Sequence, residues 1–199
     1  LYQAVGDCGV AHSIAADLLP SPRLELAAGN TVYQINITNT NGTAGNTMTA
    51  VDANSPVKDG FTSVGDIDGD EQLDVIVVRN RAYANGGGVW VWNPRTRAII
   101  ASAAAGVTGG VAFVGNVYGD CTPEIGVNFE DELIMYRYDG TTSLKILYDL
   151  PTTDHSGYTG VTMFDFNQDG YYELVYRDES YLRIMEGHTG TTLTSYRIN

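Results

Sequence analysis

The chain has 199 residues, of which 43% are hydrophobic, and this supplies enough apolar side chain for the core of one or two globular domains. The formal net charge of −13, from 24 acidic and 11 basic residues, produces a field that repels nucleic-acid phosphates and anionic lipid headgroups. We therefore expect no nucleic-acid partner and no membrane insertion, and the most apolar run, residues 98–107, is far shorter than the roughly 20 residues of a membrane-spanning helix.

Four copies of one sequence pattern follow one another along the chain. In each copy an Asp or Asn is followed eight residues later by a second acidic residue, and successive copies are 49 or 50 residues apart. In chain order the pairs are Asp17/Glu25, Asp66/Asp74, Asn116/Glu124 and Asp165/Glu173. Because self-similarity at a fixed period marks repeat architectures, this repeat decides the predicted fold.

Each acidic loop is flanked by β-rich runs and polar turns that together give about four strands per unit. Four short antiparallel strands per unit are typical of a β-propeller blade. The sequence therefore predicts an all-β fold, a single propeller domain or fragment over residues 1–199, with blades at about 11–53, 60–104, 110–150 and 160–198.

The strand around residue 90 has apolar residues on both faces. Strand alternation places Val89 and Val91 on one face and Trp90 and Trp92 on the other, as expected of a blade between two neighbours. An open stack of four blades would expose an apolar face at each end. We therefore expect either a ring closed at four blades or, as the preferred interpretation, further blades beyond this chain.

The second and fourth copies carry a full set of oxygen donors for a metal ion. Hard cations such as Ca²⁺ take about six to eight oxygen ligands, and alternate residues of a tightly curled loop converge on one point. The predicted metal ligands occupy loop positions 1, 3, 5, 7 (through the backbone carbonyl) and 9; they are Asp66, Asp68, Asp70, Gln72 and Asp74, then Asp165, Asn167, Asp169, Tyr171 and Glu173.

The residue at loop position 12 excludes two other types of calcium loop. An EF-hand or dockerin loop requires Glu at position 12, where these loops have Val77 and Tyr176, so both are excluded. Solvated turn residues with no bound ion remain the simple alternative, because Asp, Asn and Gly favour turns.

The first and third copies have incomplete donor sets. In the first, Leu19 and Ser21 replace ligands and neighbouring prolines stiffen the loop, so no ion is expected. In the third, Tyr118 interrupts the pattern, and the remaining donors predict a weak third site formed by Asn116, Asp120 and Glu124.

These loops resemble the FG-GAP/VCBS repeats of integrin α-subunit-type propellers, whose pattern is roughly DxDGDGxxD between the first two strands of a blade. The resemblance extends over essentially the whole chain, although Glu71 and Gln168 stand where that pattern has glycine. It implies loops that bind Ca²⁺ and a complete ring of seven or eight blades. Residues 173–199 are also similar to FG-GAP segments of large surface proteins of Bacteroidetes-type bacteria.

Several other residues were considered as sites. Cys8 and Cys121 lack zinc-ligand spacing and are consistent with a disulfide, with two separate buried thiols or with thiols whose partners lie outside this chain. The three histidines have no metal-binding spacing and are interpreted as surface or turn residues: His12, His155 and His188. Trp90 and Trp92 are a candidate sugar-stacking face, with core packing between blades preferred.

The sequence thus favours a calcium-binding, secreted or cell-surface propeller that acts as an adhesion scaffold for proteins or glycans, with no catalytic residue assigned. One alternative is a module of a carbohydrate-active enzyme, since some polysaccharide lyases are similar to this repeat type; its candidate cleft groups are Arg79, Arg81 and His155. A second alternative is a lectin that uses the tryptophan face.

Overall fold

The computed structural model describes residues 12–51, 56–79, 87–105 and 109–198, and every regular element within these ranges is a β-strand. Sixteen strands form four four-stranded antiparallel sheets, and within each sheet every strand pairs with the next strand along the chain. The predicted all-β class with four four-stranded blades is confirmed. Cys8 and Arg81 lie outside the described residues.

The four sheets follow one another in the sequence. The first contains β1 (Ser13–Ala16), β2 (Glu25–Ala28), β3 (Thr31–Asn36) and β4 (Thr47–Ala50). The second contains β5 (Phe61–Gly65), β6 (Asp74–Arg79), β7 (Gly87–Trp92) and β8 (Ile99–Ala105). The third contains β9 (Gly109–Gly115), β10 (Glu124–Phe129), β11 (Glu132–Tyr138) and β12 (Leu144–Pro151). The fourth contains β13 (Val161–Phe164), β14 (Glu173–Arg177), β15 (Tyr181–Glu186) and β16 (Thr192–Arg197).

Consecutive sheets pack face to face through three apolar clusters. The cluster between the first and second sheets includes Leu18, Val32, Val75 and Trp92. The cluster between the second and third sheets includes Ile67, Val91, Ile125 and Phe129. The cluster between the third and fourth sheets includes Val117, Met135, Leu174 and Tyr176. The core is therefore a series of inter-sheet layers, which is the packing expected of successive blades.

Strand β7 contributes side chains to two of the apolar clusters. Val89 and Val91 pack into the cluster shared with the third sheet, whereas Trp92 and part of Trp90 pack into the cluster shared with the first. The predicted alternation is confirmed. Strands β6 and β10 are buried along their whole length because each lies in a sheet between two neighbouring sheets.

The first strands of the sheets lie side by side: β5 contacts both β1 and β9, and β9 also contacts β13. The acidic loops follow these strands directly, so the four loops occur at equivalent places in the stack. No helix long and apolar enough to span a bilayer occurs in the described parts of the chain.

Candidate cation-binding loops

All four acidic loops are closed by the same hydrogen bond. The carboxylate at loop position 9, at the start of the second strand of the sheet, accepts a hydrogen bond from the backbone N–H at position 2. These bonds are Leu18 N to Glu25 (3.0 Å), Ile67 N to Asp74 (3.0 Å), Val117 N to Glu124 (2.9 Å) and Phe166 N to Glu173 (2.8 Å). The acid at position 9 is thus a structural part of the hairpin in every copy.

In the second loop, three of the predicted ligands converge. Carboxylate oxygens of Asp66, Asp68 and Asp74 lie within 4.8 Å of one another. Asp70 is not a member of this group; its carboxylate accepts hydrogen bonds from the backbone and side-chain nitrogens of Gln72 at 2.9 and 3.1 Å. The structure therefore brings together three of the four carboxylates that the sequence predicted as ligands.

The three converging carboxylates repel one another. Burial raises the pKa of Asp74 to about 7, and the charges of Asp68, Asp70 and Asp66 add to this effect. The pKa of Asp68 is also raised, first by desolvation and then by the neighbouring charge of Asp70. A cation at this point would stabilise the ionised forms of these groups.

The fourth loop has the same backbone arrangement. Asp165 accepts hydrogen bonds from the backbone N–H groups of Asp169 and Gly170, at 3.1 and 3.0 Å. The Asn167 side chain accepts from Asp169 N at 3.0 Å and donates to the Asp169 carboxylate at 2.9 Å. Among the described residues, no second group of three acidic, histidine or cysteine side chains comes as close together as in the second loop.

Glu186 is a further acidic residue at the fourth loop that the sequence analysis did not identify. It lies on β15 directly opposite Glu173 in the antiparallel pair. Like charges in directly opposed positions destabilise a sheet, and Nδ1 of His188 lies 2.9 Å from Oε1 of Glu186. The signal was present in the repeat, because the position opposite the closing acid is Gln34 in the first sheet but Glu186 in the fourth.

An arginine side chain from β11 lies among the acidic groups of the third loop. The guanidinium group of Arg137, from β11, bonds to Asp120 and lies 3.3 Å from the buried Oε1 of Glu124. It also lies over the ring of Tyr118, 5.1 Å from the centroid. Its hydrogen bond lowers the pKa of Asp120, whereas burial raises the pKa of Glu124 despite the nearby guanidinium. A protein side chain thus supplies the positive charge in this loop.

The first loop satisfies its closing acid with neutral groups. One oxygen of Glu25 accepts hydrogen bonds from the backbone N–H groups of Leu18 and Leu19, and the other accepts one from the Ser21 hydroxyl. Both carboxylate oxygens of Glu25 therefore have hydrogen-bond donors within the protein.

The four loops differ in what contacts the second oxygen of the closing acid. It is the Ser21 hydroxyl in the first loop and the Arg137 guanidinium in the third. Asp74 Oδ1, Glu124 Oε1 and Glu173 Oε1, in the second, third and fourth loops, are buried and accept no hydrogen bond within the described residues, but Glu124 Oε1 has the ion-pair contact to Arg137 at 3.3 Å. Unsatisfied buried carboxylate oxygens are unfavourable. The two that also lack an ion pair within the described residues, Asp74 Oδ1 and Glu173 Oε1, belong to the loops with complete predicted ligand sets.

The loop backbone adopts left-handed conformations at the two positions where the DxDGDGxxD pattern has glycine. Positions 4 and 6 are left-handed in the second, third and fourth loops, and they are occupied by Gly69 and Glu71, Gly119 and Cys121, and Gln168 and Gly170. Glu71 has φ 65° and Gln168 has φ 61°, a region that favours glycine. Both residues therefore adopt the backbone conformation of the glycine that they replace.

We expect Gln168→Gly to stabilise the protein and Gly170→Ala to destabilise it, each by about 1 kcal/mol. A Cβ at Gly170 would have no heavy atom within 4 Å, so the loss would come from its φ of 90° and not from a steric clash. Urea unfolding of both variants in the presence of a chelator measures the effect without an ion. Equal stability of wild type and both variants would contradict this account of the loop.

The tryptophan pair does not form a sugar-binding face. Trp92 is fully buried and Trp90 is partly buried against the first sheet, so the preferred core-packing interpretation is confirmed and the platform is wrong. Cys121 is a free, exposed cysteine and not the buried thiol considered from the sequence.

The candidate enzyme groups have structural partners. Arg79 is buried, and its Nε donates to the carbonyl of Asp59 at 3.1 Å. His155 is exposed and bonds to Asp131, and this contact raises the pKa of the imidazole.

An aromatic cluster lies between the third and fourth loops. The His188 ring is 5.9 Å from the Tyr118 ring and 5.8 Å from the Tyr171 ring, and Tyr171 is exposed. The Tyr118 hydroxyl donates to the His188 carbonyl at 3.4 Å. Sequence reasoning did not find this cluster, because its members come from two sheets that are brought together only by folding.

Two solved structures are similar to the chain in fold. One is a lectin of Agrocybe aegerita that recognises non-reducing terminal N-acetylglucosamine, with a TM-score of 0.56 and 16% identity over 94% of this chain and 52% of that chain. The other is the V. cholerae biofilm matrix protein Bap1, with a TM-score of 0.56 and 12% identity over 93% of this chain and 55% of that chain. The chain therefore spans about half the length of each. No protein-family model and no curated protein matches the sequence.

Proposed function

We propose that the chain is a calcium-stabilised binding module of the propeller type, and that its second and fourth acidic loops each hold one Ca²⁺. The observation that carries the proposal is which group contacts the second carboxylate oxygen of the acid at loop position 9. That oxygen accepts a hydrogen bond from Ser21 in the first loop and forms an ion pair with Arg137 in the third, but in the second and fourth loops it has neither kind of partner within the described residues.

The chemistry of the donors fits calcium. The second loop offers carboxylates from Asp66, Asp68 and Asp74. A fourth carboxylate, that of Asp70, lies two residues after Asp68, and hard oxygen donors of this kind suit Ca²⁺. When bound, the ion would supply the positive charge that Arg137 supplies in the third loop. In this proposal the donors of the fourth loop are the predicted side chains Asp165, Asn167, Asp169 and Glu173, to which the structure adds Glu186. Gln72 and Tyr171 contribute backbone carbonyls.

Thermal unfolding of chelator-treated protein tests the proposal. We expect millimolar Ca²⁺ to raise Tm by several degrees, since an ion that binds only the folded state stabilises it by mass action. Mg²⁺ at the same concentration is the control, because it demands shorter, nearly octahedral coordination. A melt that is identical with Ca²⁺, Mg²⁺ and chelator would refute calcium stabilisation.

We further propose that the partners are glycans or proteins at the cell surface, and that the module is secreted or surface-exposed. Support comes from the lectin and the biofilm matrix protein that share its fold, together with the aromatic cluster of Tyr118, Tyr171 and His188 beside the fourth loop. Aromatic rings are suitable stacking surfaces for sugars.

A glycan array probed with wild type and Tyr171→Ala in calcium tests glycan binding directly. Equal signals from both proteins would exclude this cluster as the binding surface.

We also propose that the four sheets are part of a larger ring of seven or eight blades, as the FG-GAP resemblance implies. The similar structures are about twice as long as this chain, which is consistent with such a ring. In this ring the acidic loops fix the first bend of each blade and present a rigid surface to a partner.

A further inference from the structure

Two polar cavities adjoin one another between the first and second sheets. One has a volume of about 380 Å³ and lies along β2, β3 and β4, and the other has a volume of about 340 Å³ and extends to the turn between β7 and β8. Ser21 and Gln34 line both cavities, which therefore form one cleft. We call it the arginine cleft, after Arg23, Arg95 and Arg97, which line it. Small-molecule sites have volumes of about 300–1,000 Å³, so the cleft is large enough for such a ligand.

The strand register shows which side of the first sheet forms the cleft. Gln34 lies opposite Thr49, and Asn36 lies opposite Thr47. Because side chains alternate along a strand, these four residues share a side with Val32, which packs into the apolar cluster with the second sheet. The cleft is therefore bounded by two neighbouring sheets that are both present in the described chain.

The three arginines of the cleft stand out in a chain with 11 basic and 24 acidic residues. Arg23 occupies loop position 7 of the first loop, where no other copy has a basic residue. Arg95 and Arg97 belong to the turn between β7 and β8, and the corresponding turns of the third and fourth sheets, residues 139–143 and 187–191, contain no arginine. The positive charge of this cleft is therefore not a general property of the repeat.

Hydrogen bonds fix the turn that carries Arg95 and Arg97. Asn93 is buried, and its side-chain oxygen accepts hydrogen bonds from the backbone N–H groups of Arg95 and Thr96, at 2.9 and 3.1 Å. The backbone carbonyl of Asn93 accepts one from Arg97 N at 2.8 Å. Both arginine side chains thus extend from an ordered backbone, which lowers the entropic cost of holding a ligand.

One guanidinium nitrogen of Arg95 is buried without an acceptor. Its Nη1 has no hydrogen-bond partner within the described residues, and the ion pairs of those residues do not include Arg95. A buried charged donor without a partner is unfavourable, and an anion in the cleft would satisfy it. Guanidinium groups bind carboxylates through two parallel hydrogen bonds.

The remaining lining of the cleft suits a ligand with hydroxyl groups. Exposed Gln34 and Thr49 offer an amide and a hydroxyl group, and the guanidinium of Arg23 bonds to the side chain of Asn36. Among the described residues that line the cleft, Glu25 is the only acid, and both of its oxygens already accept hydrogen bonds within the first loop. A molecule with one carboxylate and several hydroxyl groups matches this combination.

We propose that the arginine cleft binds an acidic saccharide, with the carboxylate of a uronate unit on Arg95 and its hydroxyl groups on Gln34 and Thr49. Arg23 and Arg97 add to the positive charge that attracts the carboxylate. The inference rests on the proposed glycan partners and names a class among them. Its site is separate from the second and fourth acidic loops and from the aromatic cluster.

Titration calorimetry of the intact chain in calcium tests the proposal with glucuronate, its neutral methyl ester and acetate. We expect glucuronate to bind at least about tenfold more tightly than either, because the ester lacks the charge and acetate lacks the hydroxyl groups. Equal affinity for the ester would remove the role of the arginines, and equal affinity for acetate would mean a general anion site. Either result, or no binding of glucuronate, would overturn the proposal.

Arg95→Gln locates the bound sugar, because it removes the charge but keeps an amide donor. It should weaken glucuronate binding at least about tenfold, and Arg23→Gln, at an exposed residue, should weaken it about threefold. Arg177→Gln is the matched control, since Arg177 is an exposed arginine on β14 of the fourth sheet, and it should bind as wild type does.

The melting curve of each variant in calcium shows whether it is folded. Unchanged glucuronate binding by folded Arg95→Gln would mean that the sugar binds elsewhere, for example on calcium in the acidic loops, and would overturn the proposal. If Arg95→Gln does not fold, unchanged binding by Arg23→Gln has the same consequence.

Failure of this inference and failure of the proposed function have different signatures. A chain that ignores glucuronate but whose Tm rises with calcium contradicts only the arginine cleft. A chain that binds glucuronate through Arg95 but whose Tm ignores calcium leaves the cleft intact and contradicts the calcium loops.

Discussion

Asp74→Asn is expected to remove the calcium stabilisation of the second loop while leaving the calcium-free protein at least as stable as wild type. The asparagine oxygen can still accept the hydrogen bond from Ile67 N, whereas the charge that burial disfavours is gone. With calcium at about 100 times its dissociation constant, one site contributes about 2.7 kcal/mol, and the variant should lose this contribution. Urea unfolding with calcium and with chelator measures both quantities.

Glu25→Gln is the matched control for this variant. Glu25 is the equivalent acid of the first loop, and its second oxygen contacts the Ser21 hydroxyl. We expect the calcium dependence of this control to equal that of wild type. If Asp74→Asn also kept the full calcium stabilisation, the second loop would not be a calcium site.

Arg137→Ala is expected to destabilise the protein by about 3 kcal/mol, whether or not calcium is present. The substitution leaves Glu124, which is 0% exposed, without the guanidinium that lies 3.3 Å from its Oε1. Removing one partner of a buried ion pair costs about 3–5 kcal/mol, and we expect the low end because Arg137 is itself partly exposed. Chemical denaturation of the purified variant measures this loss.

Two further variants identify the cause of that loss. Glu124→Gln combined with Arg137→Ala should recover most of the stability, because no buried charge remains. Tyr118→Asp combined with Arg137→Ala should instead make the protein respond to calcium at a third site, because it restores a carboxylate at loop position 3 and removes the competing cation. A loss below about 1 kcal/mol for Arg137→Ala would mean an ordinary surface pair and would contradict the account.

The fold was predictable because its cause is local and repeated. The pairs spaced by eight residues identify the hairpins, and in each hairpin the acid at position 9 accepts the N–H of position 2. The alternation of Val89 to Trp92 similarly predicted a sheet buried on both faces. Such signals depend on neighbours along the chain, which the sequence shows directly.

The parts of the site that were missed depend on neighbours across strands. Arg137 lies 17 residues from Asp120 and enters the third loop from the next hairpin, so the loop sequence alone did not identify it. Glu186 reaches the fourth loop by the same route, through its pairing with Glu173. The sequence left a binding surface open as the alternative for the two tryptophans, because the alternation of a strand does not show which neighbour covers each face.

A count of bound calcium ions tests the central claim most directly. Native mass spectrometry or titration calorimetry of chelator-stripped protein should give two ions per chain for wild type, one for Asp74→Asn, and three for the Tyr118→Asp, Arg137→Ala double variant. A wild-type protein that binds no calcium at millimolar concentration, with its acidic loops folded, would contradict the account.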